Sequence, residues 1–122
     1  LMGEIISFLD DAIGRAQMAG VRRDMIIVDP GIGFGKTFEH NLQIIKELGK
    51  LKKLNCPLLI GPSRKAFIGH ILGKPPQERD IGTIAAVVAG IMNGADIVRV
   101  HNVGMAIDAV TIANAIKKER IN

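Results

Sequence analysis

A carboxylate, a proline, three glycines spaced two apart and a lysine run from Asp29 to Lys36. Asp29 closes the apolar run 25–28, which reads as a buried strand, and Pro30 biases Asp29 to extended backbone. The carboxylate therefore leaves at the strand's carboxyl end. There it can accept two parallel N–H bonds from an amidine-like ring edge. The alternative is an Asx-type turn or a cap for the next helix. Neither common nucleotide loop fits the glycines. A P-loop counted back from Gly35-Lys36-Thr37 needs glycine where Pro30 stands, and a dinucleotide fingerprint begun at Gly31 and Gly33 needs glycine where Lys36 stands. What remains is a tightly turning loop whose backbone can approach a ligand. Phe34 in that loop can stack on a flat molecule, although core packing is the favoured reading of a lone phenylalanine.

Two more apolar runs end in polar chemistry. Arg99 and His101 are two apart on the run 96–100, so both point to the same side of a strand. An unpaired arginine at such a position is costly, so the pair suggests an anion. Phosphate leads, because guanidinium binds it bidentately, with an ion pair to a helix carboxylate as the structural alternative. The third run, 57–60, leads into Gly61-Pro62-Ser63-Arg64-Lys65. Ser63 can cap a helix over 64–72, and Lys65 can lean back over the sheet. A solvated basic turn is the alternative. Three such strand ends in one short chain argue for one shared site. His40 and His70 are lone histidines on helix surfaces, Cys56 reads as core, and no Cys/His spacing supports zinc.

The elements that must carry these residues follow from periodicity. Helical spacing covers 4–18, with a stop at Gly20, then 38–53 with Ile44, Ile45, Leu48 and Leu51 on one face. It returns at 64–72, at 81–94 through Ile81, Ile84, Ala85, Val88, Ile91 and Met92, and at 105–116 through Met105, Ala109, Ile112 and Ile116. The order α-β-α-β-α-α-β-α, with short strands lacking polar alternation, implies a parallel sheet covered by helices. Residues 1–122 are expected to form one partial domain. Three strands cannot close a barrel, so the chain reads as a piece of a larger α/β protein.

The chain has 122 residues, 48% apolar, which is one core's worth. No stretch is long enough to span a membrane, and no secretion leader is visible. One cysteine excludes an internal disulfide and fits a reducing compartment, hence the cytoplasm. The net charge of +4 is spread along the chain, and tryptophan and tyrosine are absent. No nucleic-acid partner is therefore expected, whereas a small anion suits the charge.

Four motifs, D-P-G-I-G-F-G-K-T, G-P-S-R-K-x-F-I-G, R-x-I-G-T and R-V-H-N-V, occur here in order. Together they resemble the carboxyl-terminal part of the dihydropteroate synthases, a family of (β/α)8 barrels of folate biosynthesis that use their strand ends for catalysis. The resemblance implies strands six to eight of such a barrel. It also implies condensation of a dihydropterin methyl diphosphate with 4-aminobenzoate, Mg²⁺ held by residues upstream of Leu1, a homodimer and sensitivity to sulfonamides. On it, Asp29 holds the pterin edge, Gly61 lies along the pterin pocket and Phe34 stands beside the aminobenzoate. Lys65 lies between the two, Ser63 joins the substrate-binding set, and Arg99 and His101 bind the diphosphate. Lys65, Arg99 and His101 are the implied catalytic residues. Ala66 replaces the family's more usual serine, and Asn102 replaces an aspartate. The competing readings are a pterin-binding methyltransferase barrel, which has no need of the S-R-K and R-V-H segments, and a non-catalytic assembly fragment.

Overall fold

The computed structural model describes residues 1–121. Helix α1 (Met2–Met18) buries Met2, Leu9 and Ile13 along one stripe. It ends where the spacing predicts. Gly20 takes φ +99°, its N–H reaches Gln17 O at 3.0 Å, and Val21 N reaches Ala16 O at 3.0 Å. That is the Schellman pattern of a left-handed glycine terminus.

Three parallel segments make the sheet. Val28 forms a single bridge with Leu58. Strand β1 (Leu59–Ile60) pairs in parallel with β2 (Ile97–Val98), in the register Leu59↔Ile97 and Ile60↔Val98. The first predicted strand, 25–28, shrinks to that bridge. Arg23–Met25 is a 3-10 turn, and Ile26 is extended but its N–H closes that turn on Arg23 O at 3.1 Å rather than pairing with a strand. A strand needs a neighbour to extend its ladder, and here only one side has one.

The helices cover the sheet. Helix α2 (Phe38–Lys46) is capped by Thr37, whose hydroxyl accepts from His40 N. The expected helix over 38–53 breaks at Glu47 and continues as 3-10 turns, Leu48–Leu54. Leu48, Leu51 and Leu54 are buried there, and their three-residue spacing matches the 3-10 repeat rather than the α repeat. Helix α3 (Ala66–Leu72) follows β1, and α4 (Asp80–Met92) precedes β2. Helix α5 (Val103–Lys118) follows it, with Asn102 as its cap.

Two apolar faces differ from expectation. Helix α4 buries Thr83, Val87, Gly90 and Ile91, while Ile81 is 79% exposed. It lies on β1 through Gly90, where an added Cβ would stand 2.2 Å from Ile60 Cδ1. Helix α5 buries Ala106 and Ala113, and leaves Met105, Ile112 and Ile116 exposed. Small side chains bring α5 close to α4, so the larger ones turn outward. The main core joins Val28, Leu58 and Ile60 to Leu9, Ile13, Ile44, Leu48, Leu51, Phe67 and Ile68. No helix among the described residues is long and apolar enough to cross a membrane.

Candidate active site at the carboxyl ends of the strands

The loop after Val28 carries Asp29. Its Oδ1 accepts from Gly31 N at 2.8 Å, so the Asx-type turn is present. The turn does not consume the group, because the side chain stays exposed with Oδ2 unpaired among the described residues. Asn41, 2% exposed, pins the loop from α2. Its Oδ1 accepts from Gly33 N at 2.8 Å, and its Nδ2 donates to Thr37 O at 3.0 Å. The sequence reading passed over Asn41. Its signal was a lone amide on the apolar face of Ile44, Ile45 and Leu48, one that needs a partner when buried.

Phe34 is 67% exposed, so the core-packing reading is corrected. Lys65 Nζ stands 4.6 Å from its ring centroid and donates to Ile32 O at 2.5 Å. Glycine is required at position 33, which has φ +87° and would place a Cβ 2.8 Å from Lys65 Cδ. Burial pushes the Lys65 pKa down, the positive charges of Arg99 and Lys36 act the same way, and Asp29 opposes them.

Ser63 does not cap α3, which corrects the expectation. Lys65 is the cap residue, without a side-chain bond, and Ser63 Oγ is engaged with His101. Arg99 lies across Gly61, where a Cβ would meet Nη2 at 3.1 Å. Its guanidinium forms no ion pair among the described residues, so the structural ion-pair alternative fails. Arg99 and His101 both line a hollow of about 400 Å³ with Gly61, Ser63, Lys65 and Val100, although β2 ends at Val98 and strand alternation does not extend to them. No carboxylate lines it.

One neighbouring hollow shares Lys65 with this one, and a second shares Phe34 and Lys36 with that neighbour. The smaller, about 140 Å³, is lined by Gly33, Phe34, Lys36, Lys65 and Ala66 among others. The larger, about 680 Å³, holds Asp29 with Phe34, Lys36 and residues of α1. All seven sequence-predicted site residues therefore line one row of hollows at the carboxyl ends of the strands, linked by Phe34 and Lys65.

The R-x-I-G-T motif, to which the sequence assigned no role, holds the S-R-K turn. Arg79 Nη1 donates to Arg64 O at 2.9 Å, and Arg64 N donates to Thr83 Oγ1 at 2.9 Å. Arg64 also pairs with Asp80, Nε to Oδ1 at 2.9 Å. His70 stacks on Phe38 at 4.7 Å, and Cys56 is buried and free. Among the described residues no group of three or more His, Cys, Asp or Glu could hold a metal ion.

A row of strand-end hollows, one cationic and one beside an exposed carboxylate, suits a flat ligand attached to an anion. Residues 1–101 match the family of pterin binding enzymes, and the chain belongs to it. Dihydropteroate synthases are among its relatives. That of Synechocystis sp. is 47% identical over 117 residues, covering 95% of this chain and 40% of that protein. The crystal structure of the Yersinia pestis dihydropteroate synthase superposes with a TM-score of 0.94 at 41% identity, covering 97% of this chain and 56% of that one. The Xanthomonas albilineans enzyme, solved with 4-aminobenzoic acid, gives 0.90 at 38% identity, covering 94% of this chain and 42% of that one. The chain thus spans about half or less of these relatives, and its fold is a portion of their (β/α)8 barrel.

Proposed function

We propose that this chain supplies part of the active site of a dihydropteroate synthase of folate biosynthesis. The reaction joins (7,8-dihydropterin-6-yl)methyl diphosphate to 4-aminobenzoate, giving 7,8-dihydropteroate and diphosphate. The observation that carries this reading is the carboxylate-free hollow in which Lys65, Arg99 and His101 converge. It stands in a row with the exposed Phe34 and Asp29.

In this reading the methylene C–O bond breaks and its electron pair leaves with the diphosphate. The aminobenzoate nitrogen bonds to the carbon and gives up a proton. Arg99 and His101 bind the departing anion, and fixed positive groups there lower the barrier without reorganising. Lys65, partly desolvated and facing the charges of Arg99 and Lys36, gains from an arriving anion. Asp29 Oδ2 meets the pterin edge, and Phe34 flanks the aminobenzoate, where sulfonamides would compete. Gly61 leaves room along the pterin pocket. Ala66 offers no hydroxyl for the aminobenzoate carboxylate. Among the described residues no group of carboxylates, histidines or cysteines fits Mg²⁺. The resemblance leaves Mg²⁺ to residues outside the segment.

We further infer a cytoplasmic enzyme that pairs through its helical side. An apolar groove of about 460 Å³ lies there between α2, α3 and α4, with Leu42, Ile71 and Leu72 exposed. The relatives' names give the methyltransferase alternative no support. The test is turnover of the two substrates by a folded full-length protein carrying this segment. A folded protein that binds neither pterin nor diphosphate would refute the reading.

A further inference from the structure

We propose that Ser63 is a positioning residue for His101, holding the imidazole so that Nε2 always carries a proton and is the donor offered to the hollow. The inference rests on the functional reading above for the anion, but not for the tautomer. Ser63 Oγ stands 2.6 Å from His101 Nδ1 and also accepts the backbone N–H of His101 at 3.1 Å. That backbone bond takes one lone pair and leaves one proton and one lone pair for the ring. A neutral ring whose Nδ1 accepts the serine proton must keep its own proton on Nε2. An imidazolium carries both protons, and the hydroxyl then turns to accept from Nδ1. In both states Nε2–H is free, with no partner among the described residues. The other neutral tautomer would leave the Ser63 proton with no acceptor among the described residues and would offer an anion a lone pair instead.

Ser63 is itself held in place through its neighbour Arg64. Arg64 has φ +58°, an unfavourable region for a residue with a Cβ. Thr83, Arg79 and Asp80 over-determine it through the bonds given above. Asn102, next to His101, donates to the same Asp80 carboxylate at 3.4 Å. One carboxylate thus ties together the neighbours of both Ser63 and His101. Lys65 and Arg99 share the hollow with His101, and the Asp80 charge also reaches its ring.

The test uses a full-length protein carrying this segment, with ¹⁵N-labelled histidine. The unmodified protein should show His101 protonated at Nε2. Ser63→Ala should mix the tautomers and weaken inorganic diphosphate binding about tenfold near pH 8. Ser63→Thr, which restores a hydroxyl, should recover both. Retention of the single tautomer by Ser63→Ala would overturn the proposal. So would weaker diphosphate binding without a tautomer change, because Ser63 would then touch the anion directly. If Ser63→Ala does not fold, Asp80→Asn decides, with a smaller tautomer shift expected and an unshifted ring overturning the proposal. An unmodified protein that ignores diphosphate would refute the functional reading alone, and the tautomer would still decide the role of Ser63.

Discussion

The two ends of the small sheet treat charge in opposite ways. At the amino end of β2, Asp96 is neutralised on two sides. Its Oδ2 accepts from Leu58 N at 2.9 Å and from Lys52 Nζ at 3.2 Å. Burial pushes its pKa up, but these two partners outweigh burial and leave it below the usual carboxylate range. At the carboxyl end, Lys65, Arg99 and His101 gather with no carboxylate in their hollow. Like charges left together cost stability, Asp29 offsets Lys65 only in part, and an anionic ligand would offset the cluster further. The paired end reads as structure and the unpaired end as chemistry, a division barrel enzymes make between their two faces.

The comparison can be broken first by removing its surroundings. Residues 1–122 expressed alone should show no synthase turnover and should self-associate. Among the described residues both sheet edges are open, Ile27 and Ile97 are exposed, and unpaired edges template pairing. Light scattering over a dilution series is the measurement, and a stable monomer with turnover would contradict the expectation. The remaining tests use a full-length protein.

Arg99→Met should cut diphosphate affinity by about 1.5–3 kcal/mol, the range for hydrogen bonds to charged groups, and leave the melting temperature nearly unchanged. The reverse pattern in calorimetry and melting would make Arg99 structural and erase the contrast between the ends. Asp29→Asn should weaken pterin binding by about 1–3 kcal/mol and spare aminobenzoate. The amide oxygen would keep the Gly31 N–H and turn the NH₂ toward the pterin's own donors. Equal losses for both ligands would refute the assignment.

The smallest effect belongs to the paired end. Asp96→Asn should lower stability by about 1 kcal/mol in urea unfolding, discounted because the Lys52 pair is half exposed, and leave ligand binding alone. The pH sign follows from the depressed folded pKa. The Asp96 contribution is fully present above the unfolded carboxylate value and is lost as pH falls through the folded one. The substituted protein should therefore show a weaker acid-side loss of stability. An identical acid limb would mean that Asp96 is not coupled to folding.

Much of the site was legible in order and spacing. Asp29, Lys65, Arg99 and His101 each follow an apolar run, which marks them as strand-end groups, although the strand stops at Val98 and period-two spacing is not what brings Arg99 and His101 together. Helix α1 and its glycine stop were legible for the same reason, since both are local. The buried faces of α4 and α5 were not. Apolar spacing marks a face that can be buried, whereas the surface a helix meets decides which face is, and here glycine and alanine made the contact. The Phe34 misreading has that origin too, because a phenylalanine in a loop carries no local sign of whether a core or a lysine covers it.

The sequence by itself determined which groups reach the carboxyl edge and that they are mostly cationic, because the apolar runs that mark strands and the X-Pro restriction act over a few residues. Only the tertiary structure decided which of those groups stay unpaired. Whether Asp80 takes Arg64 or Arg99, and whether Ser63 caps a helix or orients His101, depends on bonds across 16 and 38 residues of chain. Such choices are made by how helices seat on the sheet, and no local pattern encodes them.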